Sequence, residues 1–315
     1  GKVGYPEATG CAFVLWERQE IGRQDITLSP LPPSPIAANA SLRLSEATIA
    51  STPPPVVAQA LRRPFSFEND GLQVEGLLYT PVSDADPSRP ILLVVFPGPA
   101  GAWDLISVPL AADGYVVVAL GMSAERGLDI DGYARDVRKA LALTRAGRFG
   151  GDPTRIGVLA GSLSSTWVLQ ALRQTEAVQA LVILGGVSDA FLMVQALYAD
   201  QVYLDPALNM DLAVAGLGSP QRRPDFFLRY SPAFYAGALP PVLILHGHSD
   251  ETVPVGQATR LAAELSRLGK PHELHLYTGQ AHYPGVENPT ETTLDMWAQT
   301  LRFLATHLKE VGSRQ

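Results

Sequence analysis

The sequence has few of the residue types that build a disulfide scaffold, a nucleic-acid surface or a membrane span. Cys11 is the single cysteine among 315 residues, which excludes an intramolecular disulfide and a cysteine-based metal cluster. Only 17% of the residues are charged, the net charge is -7, and no run of Lys or Arg offers a surface for phosphates. Apolar runs such as residues 91–96 are much shorter than the roughly 18 residues of a membrane helix. We therefore expect no nucleic-acid partner and no membrane span.

The N-terminal part differs in composition from the rest of the chain. Two proline clusters, at residues 30–35 and 53–55, predict stiff linkers. We therefore predict an N-terminal extension over residues 1–60 and one folded domain over residues 61–312. The sequence begins at Gly1, which leaves the localisation open and is compatible with an extracytoplasmic protein whose export signal has been removed.

From about Leu61, apolar strands alternate with helix-period segments, a pattern typical of an α/β fold. The turn Asn69-Asp70-Gly71 predicts a hairpin at the start of this region. Later strands are mostly continuous apolar strings, as expected where both sheet faces are buried: ILLVVF, YVVVAL, RIGVLAG, ALVILGG, PVLILHG and HELHLYTG. Helical spacing of apolar residues predicts helices over 131–145, 254–268 and 293–308. The predicted architecture is a mostly parallel twisted sheet with helices on both faces.

One of these strands runs directly into a turn of small and hydroxyl residues, AGSLSS. A serine at the point of a sharp strand-to-helix turn holds its hydroxyl clear of the sheet, next to a free backbone N–H. Ser162 occupies that point, although Ala160 and Ser164 stand where two glycines usually allow close packing. The alternative interpretation is a serine that caps the following helix.

Two later strands are followed by an acid and an imidazole. Asp250 comes after the strand at 242–245, within HGHSDETVP, and His282 comes after the strand at 273–277, within GQAHYPG. The carboxyl ends of parallel strands lie at one edge of a sheet, so we expect these side chains to meet Ser162 there. The chain order of serine, aspartate and histidine is that of nucleophile, acid and base in α/β-hydrolases. We therefore predict Ser162, Asp250 and His282 as catalytic residues.

From Pro64 to Leu308 the sequence resembles α/β-hydrolases of the prolyl-oligopeptidase-like and dienelactone-hydrolase-like branches. The matching pieces are DGLQVEGLLYTP, DPTRIGVLAGSLSS and the long stretch at 231–283, which is the most specific of the three. This resemblance implies a hydrolase in which Ser162 attacks, Asp250 orients the base and His282 is the base. It implies no cofactor.

The resemblance also implies an oxyanion hole made of backbone N–H groups. Leu163, directly after the nucleophile, is the first predicted donor. The second donor of such families lies after the third strand, where the string FPGPAGAW places Pro99, which has no N–H. We predict Ala100 as the second donor; the alternatives are the side chain of Trp103 and a hole that has one donor fewer.

The substrate class is predicted from what would have to precede the domain. Oligopeptidases of this resemblance carry a propeller of several hundred residues before the catalytic domain. Here only about sixty residues precede the predicted domain, which is too few even for two blades of ~40 residues. A small carboxylic ester is therefore the predicted acyl substrate, with acyl-aminoacyl or dipeptidyl-type peptidase and thioesterase activities as alternatives. Residues 188–238 form a candidate lid insertion, and the predicted pocket residues are Pro99, Trp103, Phe191 and Phe227.

Two other classes of function fit parts of the sequence. His246, His248 and Asp250 have the H-x-H-x-D spacing of binuclear zinc hydrolases. Those proteins place another histidine directly after the aspartate, where this chain has Glu251, so we predict no metal site. The altered turn around Ser162 and the proline at Pro99 also fit a hydrolase scaffold that serves as a binding module without catalysis.

Overall fold

The structure, a computed structural model, describes residues 48–49, 56–57, 60–83, 86–127, 129–173, 178–202, 218–282, 284 and 289–309. The strands are β1 (Thr48–Ile49), β2 (Val56–Val57), β3 (Ala60–Asn69), β4 (Leu72–Pro81), β5 (Ile91–Val95), β6 (Val116–Leu120), β7 (Ile156–Gly161), β8 (Ala180–Leu184), β9 (Val242–Gly247) and β10 (His272–Tyr277). The α-helices are α1 (Asp104–Ala112), α2 (Ile130–Arg145), α3 (Ser164–Leu172), α4 (Ala190–Tyr198), α5 (Pro224–Arg229), α6 (Gly256–Arg267) and α7 (Glu291–Leu304). Shorter 3-10 turns span Ala100–Trp103, Ala124–Arg126 and Pro232–Ala238.

Within the described part of the chain the strands form one ten-stranded sheet. Its order is β1-β3-β4-β6-β5-β7-β8-β9-β10, and β2 also pairs with β3. From β6 to β10 along this order each strand is parallel to the next, whereas β4 pairs antiparallel with both β3 and β6. This confirms the predicted mostly parallel sheet. The parallel arrangement brings the carboxyl ends of β5, β7, β8, β9 and β10 to one edge.

The sheet has a hydrophobic core on each face. Strands β5, β6 and β7 are buried along their whole length, because helices cover both of their faces. On one face the core includes Tyr133 of α2, Trp167 of α3 and Leu261 of α6. On the other face it includes Leu110 of α1 and Phe303 of α7. The layering is that expected of an α/β fold.

The hairpin predicted at Asn69-Asp70-Gly71 is confirmed. Asp70 and Gly71 have φ of 54° and 78°, the left-handed pair that a tight two-residue turn between right-twisted strands needs. The turn is also attached to its surroundings, because Asn69 Nδ2 donates to Asp136 Oδ1 of α2 at 2.7 Å. Buried Arg126 donates to the same carboxylate oxygen at 2.6 Å and to the Asn69 carbonyl at 3.2 Å. The hairpin tip is therefore held near the edge at which the parallel strands have their carboxyl ends.

The last helix departs from its predicted bounds. It begins at Glu291 and ends at Leu304, followed by a π-type turn over Ala305–Lys309, whereas the apolar spacing predicted a helix over 293–308. The physical reason is the cap: Thr290 Oγ1 accepts the Thr293 N–H at 3.2 Å and starts the helix earlier. Among the described residues no helix combines the length and apolar character that a bilayer span requires.

The predicted extension over 1–60 is described only in small part. Thr48–Ile49 pairs antiparallel with Phe65 and Ser66 of β3, and Val56–Val57 pairs with the start of β3. These two short strands lengthen the sheet at its antiparallel edge. Most of 1–60, including Cys11 and both proline clusters, lies outside the described residues, and so does 203–217 within the candidate lid insertion.

Candidate active site

Three loops at the carboxyl edge of the sheet carry the predicted catalytic side chains. Ser162 lies in the turn between β7 and α3, Asp250 follows β9, and His282 follows β10. Ser162 is buried with 1% of its surface exposed and has φ of 52°, in the left-handed region that side-chain-bearing residues rarely adopt. Such strain at the point of a strand-to-helix turn is a feature of nucleophile turns in α/β-hydrolases.

The structure brings these three side chains into one hydrogen-bonded chain. His282 Nε2 lies 2.9 Å from Ser162 Oγ, and His282 Nδ1 lies 2.7 Å from Asp250 Oδ2. Because a carboxylate oxygen only accepts, Nδ1 carries the hydrogen and Nε2 presents its lone pair to the serine hydroxyl. The arrangement can withdraw a proton from Ser162 and stabilise the resulting imidazolium.

Asp250 is held by donors on both of its oxygens. Oδ1 accepts the backbone N–H groups of Thr252 at 2.9 Å and Val253 at 2.8 Å. Oδ2 faces His282 and also His246 Nε2, which lies 3.3 Å away. Burial favours the neutral carboxyl, but the hydrogen bonds from His246 and His282 outweigh it and lower the pKa of Asp250 to about 2. The acid is therefore ionised at neutral pH.

The two departures from a glycine-flanked serine turn have structural explanations. Ser164 Oγ lies 2.6 Å from the Val95 carbonyl and 2.7 Å from the Gly161 carbonyl, so its hydroxyl is satisfied at the ends of β5 and β7. Ala160 is 1% exposed and fits the core. The close approach instead occurs at Gly161, where a Cβ atom would lie 2.2 Å from the Phe96 ring. The turn is tight because of Gly161.

The predicted oxyanion donors lie on adjacent loops. Val95 is paired with Ala160 in the sheet, so the loop after β5 runs beside the serine turn. Leu163 is the N-cap of α3 and Ala100 is the first residue of a 3-10 turn, and backbone N–H groups at such positions have no intrahelical acceptor. Within the described part of the chain, neither N–H donates to a carbonyl in a turn or loop. Both N–H groups therefore remain candidates to bind an acyl oxygen.

Trp103 does not fit the role that the sequence predicted. Its indole N–H donates to the Pro97 carbonyl at 2.9 Å, and its ring stacks on Phe96 with centroids 4.7 Å apart. The alternative in which Trp103 replaces a backbone oxyanion donor is therefore wrong, because its donor is already used. Its ring is partly buried and packs against the core that includes Leu110 of α1, and its role as a pocket residue stays a prediction.

The other predicted pocket residues divide into two groups. Pro99 lines a cleft of about 730 Å³ together with Ala100, Gly121 and Met122, directly beside the candidate oxyanion loop. Phe227 is only 1% exposed, so its prediction as a pocket wall is wrong and it is a core residue of its segment. Phe191 is partly buried and packs on Phe227 and Phe234, with ring centroids 5.4 and 5.9 Å apart.

Sequence reasoning missed the residue that holds the loop after β8. Gln257 of α6 is fully buried; its Oε1 accepts the N–H groups of Ser188 at 2.9 Å and Asp189 at 2.7 Å. This loop touches the site, because Val187 N–H donates to the Ser162 carbonyl at 3.2 Å. A signal was available: Gln257 continues the apolar stripe of Leu261 and Leu265 at a spacing of four residues.

The zinc-type spacing does not produce a zinc-type cluster. His246 Nε2 lies 2.8 Å from the Val253 carbonyl, whereas His248 is exposed. Asp250 is already bound to His282. Among the described residues no three His, Cys, Asp or Glu side chains come together as a group that could hold a metal ion.

Comparison with known proteins gives the class. Residues 134–311, more than half of the chain and including all three predicted catalytic positions, match the prolyl oligopeptidase family. The chain belongs to that family of serine hydrolases. It is 26% identical over 245 residues to dipeptidyl peptidase 8 of Homo sapiens; the match covers 69% of this chain and 26% of that protein. The chain thus spans about a quarter of the length of this relative.

Solved structures support the fold. An acylaminoacyl peptidase of Pyrococcus horikoshii superposes with a TM-score of 0.66 at 20% identity, covering 82% of this chain and 43% of that chain. An acetyl xylan esterase of Paenibacillus sp. R4 superposes with a TM-score of 0.63 at 16% identity, covering 83% of this chain and 89% of that chain. These identities are low, so the likeness shows the α/β-hydrolase fold alone.

Proposed function

We propose that this chain is a serine peptidase that cleaves acyl-aminoacyl or dipeptidyl-type amide bonds, with Ser162 as nucleophile, His282 as general base and Asp250 as its orienting acid. The observation that carries the proposal is the continuous chain from Ser162 Oγ to His282 Nε2 at 2.9 Å and from His282 Nδ1 to Asp250 Oδ2 at 2.7 Å. These distances are within the range that proton transfer needs. Family membership supports the same chemistry.

In the first half of the reaction, His282 Nε2 takes the proton as Ser162 Oγ forms a bond to the acyl carbon. The C–N bond then breaks while Nε2 returns the proton to the departing amine, leaving an acyl-enzyme. A water molecule repeats the two steps and releases the acid. Asp250, with its pKa near 2, remains an anion throughout and stabilises the imidazolium.

The negative charge on the acyl oxygen requires backbone donors, and we assign them to Leu163 and Ala100. The Ala100 assignment has a clean test because residue 100 opens a 3-10 turn, where proline is tolerated. Pro99 already has the extended backbone, ψ of 146°, that a residue before proline prefers. Ala100→Pro should lower turnover about 100-fold, whereas Ala100→Gly keeps the donor and most of the activity. Equal activity of the two variants would refute the assignment.

The sequence alone favoured ester cleavage. We propose amide cleavage instead, because the family and the curated relative are peptidases by name. The second candidate is an ester hydrolase, favoured by the acetyl xylan esterase that this chain spans almost completely. A panel of N-acyl-aminoacyl and dipeptidyl p-nitroanilides, measured beside p-nitrophenyl esters, separates the two. Turnover of esters without any anilide cleavage would favour the second candidate.

Covalent labelling tests the nucleophile independently of the substrate. A fluorophosphonate probe should label the protein on Ser162, as located by mass spectrometry, and should not label Ser162→Ala. Ser165→Ala is the matched control, because Ser165 Oγ is buried and has no hydrogen-bond partner among the described residues. That variant should be labelled at the normal rate. An unlabelled wild-type protein would support the binding-module alternative.

A further inference from the structure

A second histidine reaches the acid of the site. His246 lies in β9, four residues before Asp250, and its side chain is completely buried. Its Nε2 is 2.8 Å from the Val253 carbonyl and 3.3 Å from Asp250 Oδ2. Both neighbours are acceptors, so Nε2 carries the hydrogen and directs it between them.

We propose that His246 is a positioning residue that shares Asp250 Oδ2 with His282 and thereby sets the basicity of His282. The inference rests on the proposed function, because it assigns His246 to the same site. His246 has no contact with Ser162 in the hydrogen bonds of the described residues and does not transfer a proton itself.

The geometry gives His246 two effects. Its N–H joins β9 to the Val253 carbonyl, and so closes the turn whose N–H groups hold Asp250 Oδ1. The same N–H takes up part of the charge on Oδ2, which is the oxygen that His282 Nδ1 contacts at 2.7 Å. A carboxylate oxygen that also accepts a hydrogen bond from a second N–H stabilises the imidazolium less. His246 therefore holds Asp250 in place and moderates its pull on His282.

The ring is specialised for one contact. His246 Nδ1 is buried and has no hydrogen-bond partner among the described residues. A buried polar atom without a partner costs stability, so a leucine would be the expected residue if the position served packing alone. The presence of an N–H donor at Nε2, despite the orphaned Nδ1, points to the contact with Asp250.

Three elements of the described part of the chain bring groups close to the His282 ring. The serine turn contributes the neutral Ser162 hydroxyl, and β9 with its loop contributes Asp250 and His246. The loop after β8 contributes the backbone of Gly185, where a Cβ would lie 3.3 Å from His282 Nδ1. The neighbouring residues of the β9 loop, His248 and Glu251, are exposed and therefore screened by solvent.

Two variants separate the donor from the shape of the ring. His246→Leu removes the N–H, whereas His246→Gln keeps an amide N–H at about the position of Nε2. We expect His246→Leu to raise the titration midpoint of His282, followed by NMR of its ring, by about half a pH unit. The acid limb of kcat/KM should move by the same amount, and kcat should fall roughly 10-fold with KM little changed. His246→Gln should restore both.

A double-mutant cycle shows whether His246 acts through Asp250. In an Asp250→Asn background, His246→Leu should have no further effect on the rate of fluorophosphonate labelling, because the shared oxygen has changed. A full additional loss of rate in that background would overturn the inference. So would an unchanged His282 midpoint in His246→Leu, or a fall in kcat that follows the melting temperature without a shift in the midpoint.

The NMR titration needs no turnover, so the two proposals fail in different ways. A wild-type protein that resists the probe, but whose His282 midpoint moves in His246→Leu, refutes the proposed function and supports this inference. A labelled protein whose midpoint stays fixed in both variants refutes this inference alone.

Discussion

The positive φ at Ser162 predicts that, of two variants without the hydroxyl, the one with glycine at this position is more stable than the one with alanine. Ser162 has φ of 52°, a conformation that costs about 1–2 kcal/mol for a residue with a Cβ. Ser162→Ala and Ser162→Gly both lose the hydroxyl and its 2.9 Å contact with His282, so that loss cancels between them. Glycine avoids the backbone strain but gives back about 0.5–1 kcal/mol through its freedom in the unfolded chain. Ser162→Gly should therefore be more stable than Ser162→Ala by about 1 kcal/mol.

The assay is thermal unfolding of the two variants, both of which should be inactive. A difference of about 1 kcal/mol corresponds to roughly 2 °C in melting temperature for a chain of this size. Ala160→Gly is the control two residues away, because Ala160 lies in a buried strand outside the positive-φ positions. There glycine should lower stability by about 1 kcal/mol. If Ser162→Gly melts at or below Ser162→Ala, the turn stores no strain and the reasoning fails.

Three further predictions concern the surroundings of the site. Gly186→Ala should lower the free energy of unfolding, measured with denaturant, by about 2 kcal/mol. The reason is that its Cβ would lie 2.3 Å from Ser165 Oγ and 2.4 Å from Ile183 Cγ2. An unchanged unfolding midpoint would contradict the packing described. Asp250→Asn should lower kcat about 10,000-fold with the fold intact by circular dichroism. Because the pKa of Asp250 is held near 2, its ionisation adds no inflection to the wild-type pH profile above pH ~4, and an inflection that Asp250→Asn abolishes would refute this. Gln257→Leu should lower both melting temperature and kcat, whereas the loss of stability alone would show that the loop after β8 does not position Ser162.

Much of the fold was predictable because strands that are buried on both faces consist of consecutive apolar residues. Continuous apolar strings marked β5 to β9, and the Asn69-Asp70-Gly71 turn fixed one hairpin. The start of α7 was not predictable from apolar spacing, since a side-chain cap at Thr290 decided it. Caps act through one local hydrogen bond and leave no periodic signal.

The catalytic positions were predictable from the sequence, whereas the pocket residues were not. The positions of Ser162, Asp250 and His282 followed from strand ends, because parallel strands bring their carboxyl ends together whatever their side chains. The pocket residues did not follow, since aromatic residues serve core and pocket alike: Phe227 proved to be core. The use of Trp103 as a tie to the Pro97 carbonyl depends on a three-dimensional turn that spacing does not encode.

Gly185 leaves room for the imidazole of the site. Strand β8 lies between the strands that carry the serine and the acid, and its loop passes the imidazole so closely that a methyl group there would contact His282 and Asp250. A side chain at residue 185 would press on the histidine and the aspartate together, so the spacing of this pair depends on a glycine in the loop of a strand that carries neither of them.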